Sequence, residues 1–301
     1  MECYAAGVNK NSQIGSTSLN SGRGLHQVTR IQLNFGNIVS IAAGCDHVVY
    51  ILDDGRAFGI GCDEKFQIGI GREDNYSSPV PITLSSDSYI TAAAAGWFYT
   101  LYVTKEGDAI YCRNESRKQH VKVKIPAKAL MPIKGMKTPA LIDQNGDFYF
   151  LSTDPNDEPA RHHLSTPVYD LAIGKEFKLA LTVDGVVWGT GNVKVNESYR
   201  PAPDCDKNYK PVIDLSNVSV QRVFGYHECC AIITKDGNLR MFGDNYFGQL
   251  GTGDTQDNTT FKPVKGLENA IVVRVDLGQS HTLILCDDGK TYSIGFNEDG
   301  Q

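Results

Sequence analysis

The sequence predicts an all-β chain, a β-propeller with one sheet per repeat, and three observations predict it. A unit of strand, glycine, strand, tight turn and strand recurs six times. From the first glycine of each copy to its turn glycine is eleven residues in five copies and twelve in the sixth. Five of the six turns are Asp-Gly or Asn-Gly, dipeptides of hairpin turns in which Gly tolerates positive φ. Self-similarity at a fixed period marks repeat architectures, and six copies with one single-residue deviation are not an accident of composition.

The copies are IAAGCDHVVYILDDGRAFGIG from Ile41, AAGWFYTLYVTKEGDAIYC from Ala94, IKGMKTPALIDQNGDFYFL from Ile133, AIGKEFKLALTVDGVVWGTG from Ala172, VFGYHECCAIITKDGNLRMFG from Val223 and DLGQSHTLILCDDGKTYSIG from Asp276. Their first glycines are Gly44, Gly96, Gly135, Gly174, Gly225 and Gly278, and their turn glycines Gly55, Gly107, Gly146, Gly185, Gly237 and Gly289. The turn glycines follow Asp, Asn or Glu and supply the positive φ that the hairpin requires. The first glycines are expected where backbones crowd, since only glycine brings no side chain. The strand runs are rich in Val, Ile, Leu, Tyr and Phe. Many are continuously apolar, as expected when neighbouring sheets cover both faces.

First glycines follow one another at 52, 39, 39, 51 and 53 residues, room for one four-stranded sheet each. Long copies carry a further segment after the third strand, GCDEKFQIGIG from Gly61 and GDNYFGQLGTG from Gly243; a diverged form, GTGNVKV, begins at Gly189. GVNKNSQIG from Gly7 and GFNEDGQ from Gly295 repeat it at the two ends. The reading is a single propeller domain over residues 1–301. Its repeats lie near 38–88, 89–127, 128–166, 167–217, 218–269 and 270–301, with 1–37 as a partial terminal blade.

With these residues in place, the string VFGYHECCAIITKDGNLRMFGDNYFGQLGTGD resembles the regulator-of-chromosome-condensation repeat, with its glycine, hairpin and G-x-N-x-x-G-Q-L-G-x-G signature. The resemblance is strong at 38–84 and 218–301, moderate at 167–214 and weak at 89–166. It implies a propeller, usually of seven blades, whose terminal strands share one blade. Third-strand segments number seven if Glu2–Gly7 is included, whereas first-and-second-strand pairs number six. We therefore expect seven blades with incomplete closure, the chain stopping inside the signature at Gln301; six blades are the alternative.

The family resemblance also implies function. Its best-known activity is guanine-nucleotide exchange on the small GTPase Ran, through one face and an inserted wedge that does not map onto this chain. Members with eroded repeats act as partners in transfer-RNA modification. The plant ultraviolet receptor of the family relies on clustered tryptophans, and Trp97 and Trp188 are too few for that role. The expectation is a protein–protein interaction scaffold that binds through one propeller face, with a Ran-like exchange factor as the alternative. No catalytic residue, cofactor or metal is assigned, and exchange needs no side-chain chemistry.

Other chemistry reads as structural. His47 and His281 are expected to bond locally within their blades. His162–His163 lack ligand spacing. Cys229–Cys230 belong to an apolar strand, and the remaining cysteines read as free buried thiols. There is no phosphate-binding glycine loop ending in Lys. Net charge is −6, which does not favour nucleic acid or an anionic membrane. No apolar run reaches the ~18 residues of a membrane span. A monomer in the cytoplasm, or in the nucleus, is expected.

One segment runs against the acidic whole. Arg113, Arg117, Lys118, Lys122, Lys124, Lys128, Lys134 and Lys137 face only Glu115 between residues 113 and 137. Lys122 and Lys124 alternate with Val121, Val123 and Ile125 on one face of a strand. A lysine-protected sheet edge accounts for them. As a candidate binding surface, Arg113, Arg117, Lys118, Lys122, Lys124 and Lys128 would dock an acidic protein.

Overall fold

The structure, a computed structural model, describes residues 3–7, 11–13, 25–31, 33, 35–71, 74–84, 88–113, 120–137, 139–154, 157–194 and 205–298. Strands β1 (Cys3–Gly7) and β2 (Leu25–Ile31) form a two-stranded antiparallel sheet. Six sheets follow in chain order. The first holds β3 (Ile38–Ala43), β4 (His47–Leu52), β5 (Ala57–Cys62) and β6 (Asn75–Ile82), and the second β7 (Ile90–Ala95), β8 (Thr100–Thr104), β9 (Ala109–Cys112) and β10 (Val121–Lys122). The third holds β11 (Ala129–Ile133), β12 (Ala140–Asp143), β13 (Phe148–Phe150) and β14 (Ala160–His162), and the fourth β15 (Val168–Ile173), β16 (Phe177–Thr182), β17 (Val187–Gly191) and β18 (Lys210–Pro211). The fifth holds β19 (Val220–Tyr226), β20 (Cys229–Thr234), β21 (Leu239–Gly243) and β22 (Asn258–Pro263); the sixth stops at three strands, β23 (Val272–Leu277), β24 (His281–Cys286) and β25 (Thr291–Gly295).

These sheets are meanders in sequence order, the arrangement of a six-bladed β-propeller. The expectation of seven blades is corrected: six is the number among the described residues. A blade grows from a first-and-second-strand hairpin, and the sequence supplies six. The seventh third-strand segment, β1, pairs only with β2 among the described residues. The chain divides into two compact units, residues 1–144, 149–161 and 298–301 in one and 145–148 and 162–297 in the other.

The repeated glycines do what their spacing implied. Turn glycines adopt φ of +82° at Gly55 and +86° at Gly107, which a hairpin of this hand demands. Four of the six turn glycines also accept a hydrogen bond from the strand that opens the next sheet. Ile90 donates to Gly55 at 3.0 Å, Ala129 to Gly107 at 2.9 Å, Val168 to Gly146 at 3.1 Å and Val272 to Gly237 at 2.9 Å. At the first glycines, backbones of consecutive sheets touch. A Cβ on Gly44 would lie 2.5 Å from the Gly96 carbonyl oxygen, and one on Gly96 would lie 2.8 Å from that of Gly135.

Core lies between neighbouring sheets, and the second strand is its centre. Strands β8 and β20 are buried at every residue. Val49, Ile51, Ile68 and Tyr102 pack together between the first and second sheets. Leu179, Leu181, Val223 and Ile232 do so between the fourth and fifth. Burying each such side chain contributes roughly 1.5–3 kcal/mol. Strand β24 departs from the pattern: it alternates, leaving Leu283 40% and Leu285 37% exposed.

Candidate partner-binding surfaces

The signature segment is a staple before it is anything else. In the fifth sheet Asn245 is fully buried; its Oδ1 accepts from Leu250 N at 2.9 Å, and its Nδ2 donates to Asp254 O at 2.9 Å. Gln249 donates from Nε2 to Asp244 at 2.8 Å, and its carbonyl accepts from Thr282 Oγ1 of the next sheet at 2.9 Å. The first sheet repeats the device with Asp63 in the asparagine's place. Its carboxylate accepts from Ile68 N at 2.7 Å, and Tyr102 OH of the next sheet donates to Ile68 O at 2.8 Å. Burial raises the Asp63 carboxyl to about 6, against the opposing pull of the Ile68, Ile70 and Gly69 amides.

Second-strand polar groups are structural too. His47 is buried and its Nε2 lies 2.9 Å from Thr100 Oγ1. The expectation of a bond within its own blade is corrected, because the crowded glycine turn aims the ring at the neighbouring sheet. Tyr99 stands where His47 stands in the first sheet, and its hydroxyl donates to Gly135 O at 2.7 Å. His163 Nδ1 meets Asp147 Oδ1 at 2.6 Å, and His162 Nδ1 pairs with Asp206 while its ring stacks on Phe148 at 5.2 Å. The two histidines thus clamp the segment around Asp206, a role their loop-like sequence gave no sign of. Cys229 and Cys230 are buried, and they, Cys45, Cys62, Cys112, Cys205 and Cys286 are free thiols; of these Cys45 is exposed, against expectation. Among the described residues no three His, Cys, Asp or Glu side chains are grouped to hold a metal ion. Among them, too, no helix is long and apolar enough to cross a membrane.

The structure divides the predicted basic surface. Arg117 and Lys118 lie outside the described residues. Lys122 and Lys124 are exposed along the outer edge of the second sheet, where Val123 N still bonds Ala109 O at 2.8 Å, and Lys128 is exposed immediately before β11 of the third sheet. Lys122 pairs with Asp108 at 2.7 Å, and the Lys128 side chain covers Gly107, so both have structural work. Two shallow cavities of about 340 and 360 Å³ flank the edge, the second lined by Lys124 and Arg161 as well as Glu158. Arg113 is elsewhere, its guanidinium donating to Lys137 O at 2.8 Å. Lys134 lies close enough to His47 to depress its basicity.

Sequence reading missed a second surface. Between the fourth and fifth sheets opens a cavity of about 600 Å³. Its walls come from the β15–β16 turn (Glu176), the residues after β17 (Asn192, Lys194), the β19–β20 turn (Glu228), the end of β21 (Asp244) and the start of β22 (Asp257, Asn258). Two aromatic rings, Phe177 and Phe242, lie 5.1 Å apart beneath it. Lys175 pairs with Glu228 at 2.7 Å. Five separate stretches contribute, so no local motif announces the cavity. Its one sequence signal is acid recurring at turn positions, as in Lys175-Glu176 and His227-Glu228.

Six repeat sheets, first glycines where added side chains would clash and a G-x-N-x-x-G-Q-L-G staple define a propeller repeat protein. Stretches of the chain match the regulator of chromosome condensation (RCC1) repeat, at residues 54–103 and 236–285, with a second form of the repeat matching 272–301.

Among its relatives, the ultraviolet-B receptor UVR8 of Arabidopsis thaliana is 25% identical over 88% of this chain and 54% of the plant protein. The probable E3 ubiquitin-protein ligase HERC4 of Homo sapiens is 25% identical over 87% of this chain and 27% of its own length. The secretion-regulating guanine nucleotide exchange factor of Bos taurus is 23% identical over 99% of this chain and 60% of that protein. The chain thus spans about half or less of the first two. Among solved structures, human WBSCR16 superposes with a TM-score of 0.80 at 15% identity, covering 99% of this chain and 89% of that one. Yeast RCC1 (Prp20), solved bound to Kap60, also gives 0.80 at 15% identity, covering 99% and 79%. At that identity the likeness is one of fold.

Proposed function

We propose that this propeller is a protein–protein interaction scaffold that binds its partner through one face and performs no side-chain chemistry. One observation carries the reading. The buried polar side chains of the repeats, His47, Asp63, Tyr99, Asn245 and Gln249 among them, are engaged in joining strand to loop and sheet to sheet. Charged and aromatic groups on the connecting segments are left facing outward: Tyr246 is 74% and Phe247 42% exposed, and two cavities of opposite charge character open at sheet edges. A rigid frame with variable loops is how binding surfaces are commonly built.

A second reading is favoured by a specific likeness. The bovine relative is a guanine nucleotide exchange factor matched over nearly this whole chain. An exchange factor needs a surface that favours the nucleotide-free GTPase, not a catalytic side chain. The deciding measurement is release of a fluorescent guanine nucleotide from Ran and a panel of other small GTPases, with and without the protein. The scaffold reading expects unchanged release from every GTPase. Strong acceleration for any one establishes exchange activity and overturns it.

A further inference from the structure

We infer that the acidic cavity between the fourth and fifth sheets receives an arginine side chain carried on a basic segment of the partner protein, a reading that rests on the scaffold function and specifies one of its sites. Charge is the first argument. Glu176, Glu228, Asp244 and Asp257 line the cavity against Lys194, and Lys175 outside it neutralises part of Glu228. Four carboxylates against two ammonium groups leave the site negative, which selects a cation.

The second argument is an unmet hydrogen bond. Asn258 lines the cavity and is 3% exposed, yet neither its Oδ1 nor its Nδ2 has a partner among the described residues. Leaving a buried amide unsatisfied is costly, and such groups in folded proteins usually mark a missing partner. The corresponding position of the first sheet is Tyr76: Gly61 pairs with Tyr76 as Gly243 pairs with Asn258. The amide is therefore a feature of this site and not of the repeat.

The third argument is shape. The acids belong to four different segments, and no three of them are grouped as a metal ion requires. An extended organic cation fits this spread. A guanidinium presents five donors in a plane and can meet a carboxylate and Asn258 Oδ1 together, with its flat face toward Phe177 and Phe242. A carbonyl of the segment's backbone would accept from Asn258 Nδ2. Asp244 and Asp257 already accept one or more internal bonds, from Gln249 Nε2 at 2.8 Å and Asn245 N at 2.9 Å. A carboxylate offers about four acceptor sites, so both retain capacity.

The test is fluorescence anisotropy on the full chain with a fluorescein-labelled (Gly-Arg)4 peptide, its citrulline counterpart and (Gly-Lys)4, at physiological salt. The arginine peptide is expected to bind about tenfold tighter than the citrulline and lysine peptides, the margin of a charge-assisted bidentate contact. Glu176→Gln and Asn258→Leu should each weaken it about fivefold or more, while Glu268→Gln, the same neutralisation at another surface, should change it by less than about twofold. Asn258→Leu should keep or raise Tm, since it removes the unpaired amide, so its binding loss is not unfolding; if it does not fold, Glu176→Gln against Glu268→Gln decides alone. Equal binding of arginine and citrulline peptides, equal binding of arginine and lysine peptides, no binding by the unaltered chain, or equal effects at Glu176 and Glu268 would each overturn the assignment. None of these outcomes touches the scaffold reading, which falls only on accelerated nucleotide release.

Discussion

Nε2 of His47 lies 2.9 Å from Oγ1 of Thr100, on the second strands of two neighbouring sheets, and both side chains are buried. This contact ties the first blade to the second at a point where water cannot substitute for either partner. Thr100→Val keeps the shape and removes the hydroxyl, leaving the imidazole nitrogen unsatisfied. The expected loss is about 1–3 kcal/mol of unfolding free energy, read from urea denaturation. An unchanged midpoint would show that the contact contributes nothing net.

The same imidazole shapes acid stability. Burial and the nearby Lys134 charge hold His47 at about 3, against about 6.5 for an unfolded histidine. The unfolded chain therefore takes up the proton first, and stability is lost as pH falls from about 6.5 toward 3. Asp63 acts with the opposite sign. Its folded value of about 6 exceeds the roughly 3.9 of an unfolded aspartate, so its contribution is fully present below about pH 4 and is lost as pH rises toward 6. Between about 4 and 6 the two slopes, each up to about 1.4 kcal/mol per pH unit, offset one another. Asp63→Asn, which restores the residue found at Asn245, should expose the histidine slope. Denaturation at pH 4, 5 and 6 checks this: the difference between the variant and the unaltered chain must change with pH.

Glycine at the crowded turns should be irreplaceable for steric reasons. Gly96→Ala would put a methyl 2.1 Å from the Tyr99 ring and 2.8 Å from Gly135 O, and should cost about 1–3 kcal/mol through overpacking. Gly289→Ala meets nothing within 4 Å. Its expected cost, roughly 1–2 kcal/mol, comes from φ of +82° alone. Replacing Gly289 by Asn, which tolerates that region, should recover much of the loss, whereas Gly96→Asn should recover none. Thermal unfolding of the four variants separates the two causes.

Lys124 and Lys128 provide the test of the basic edge. Both are exposed; Lys128 covers Gly107 with its aliphatic stem. Lys124→Glu should leave Tm unchanged, as expected for an exposed charge. Lys128→Glu should lower the unfolding free energy by no more than about 0.5–1 kcal/mol, since the shorter stem covers less of the turn. If the edge docks an acidic partner, the double variant weakens binding of a poly-glutamate peptide and flattens its salt dependence. Equal binding by both proteins would leave the lysines as edge protection only.

Much of the fold was legible because its signals are local. Asp54-Gly55 or Asp236-Gly237 fixes a hairpin from two adjacent residues, whatever surrounds them. The apolar run at Cys230–Ile233 reads directly as a strand covered on both faces. Strand β24 is just as apolar in sequence, yet its Leu283 and Leu285 face outward. A strand's own residues say that it can be buried, not that a neighbour covers it. The candidate sites were less legible for the same reason. The basic run looked like one surface, but Lys122 lies on the outer edge strand, Lys128 covers the Gly107 turn and Lys134 approaches His47.

Residues within a dozen positions of one another fix the repeat, its hairpins and the glycines at which backbones meet, so these were readable in the sequence alone. Tertiary structure decided the number of blades, the partner of His47 and the acidic cavity. Glu176 and Glu228 are brought to one cavity across 52 positions, about one repeat length, because stacking successive sheets places equivalent turns side by side. That proximity arises from packing between sheets, a contact that neither stretch encodes alone.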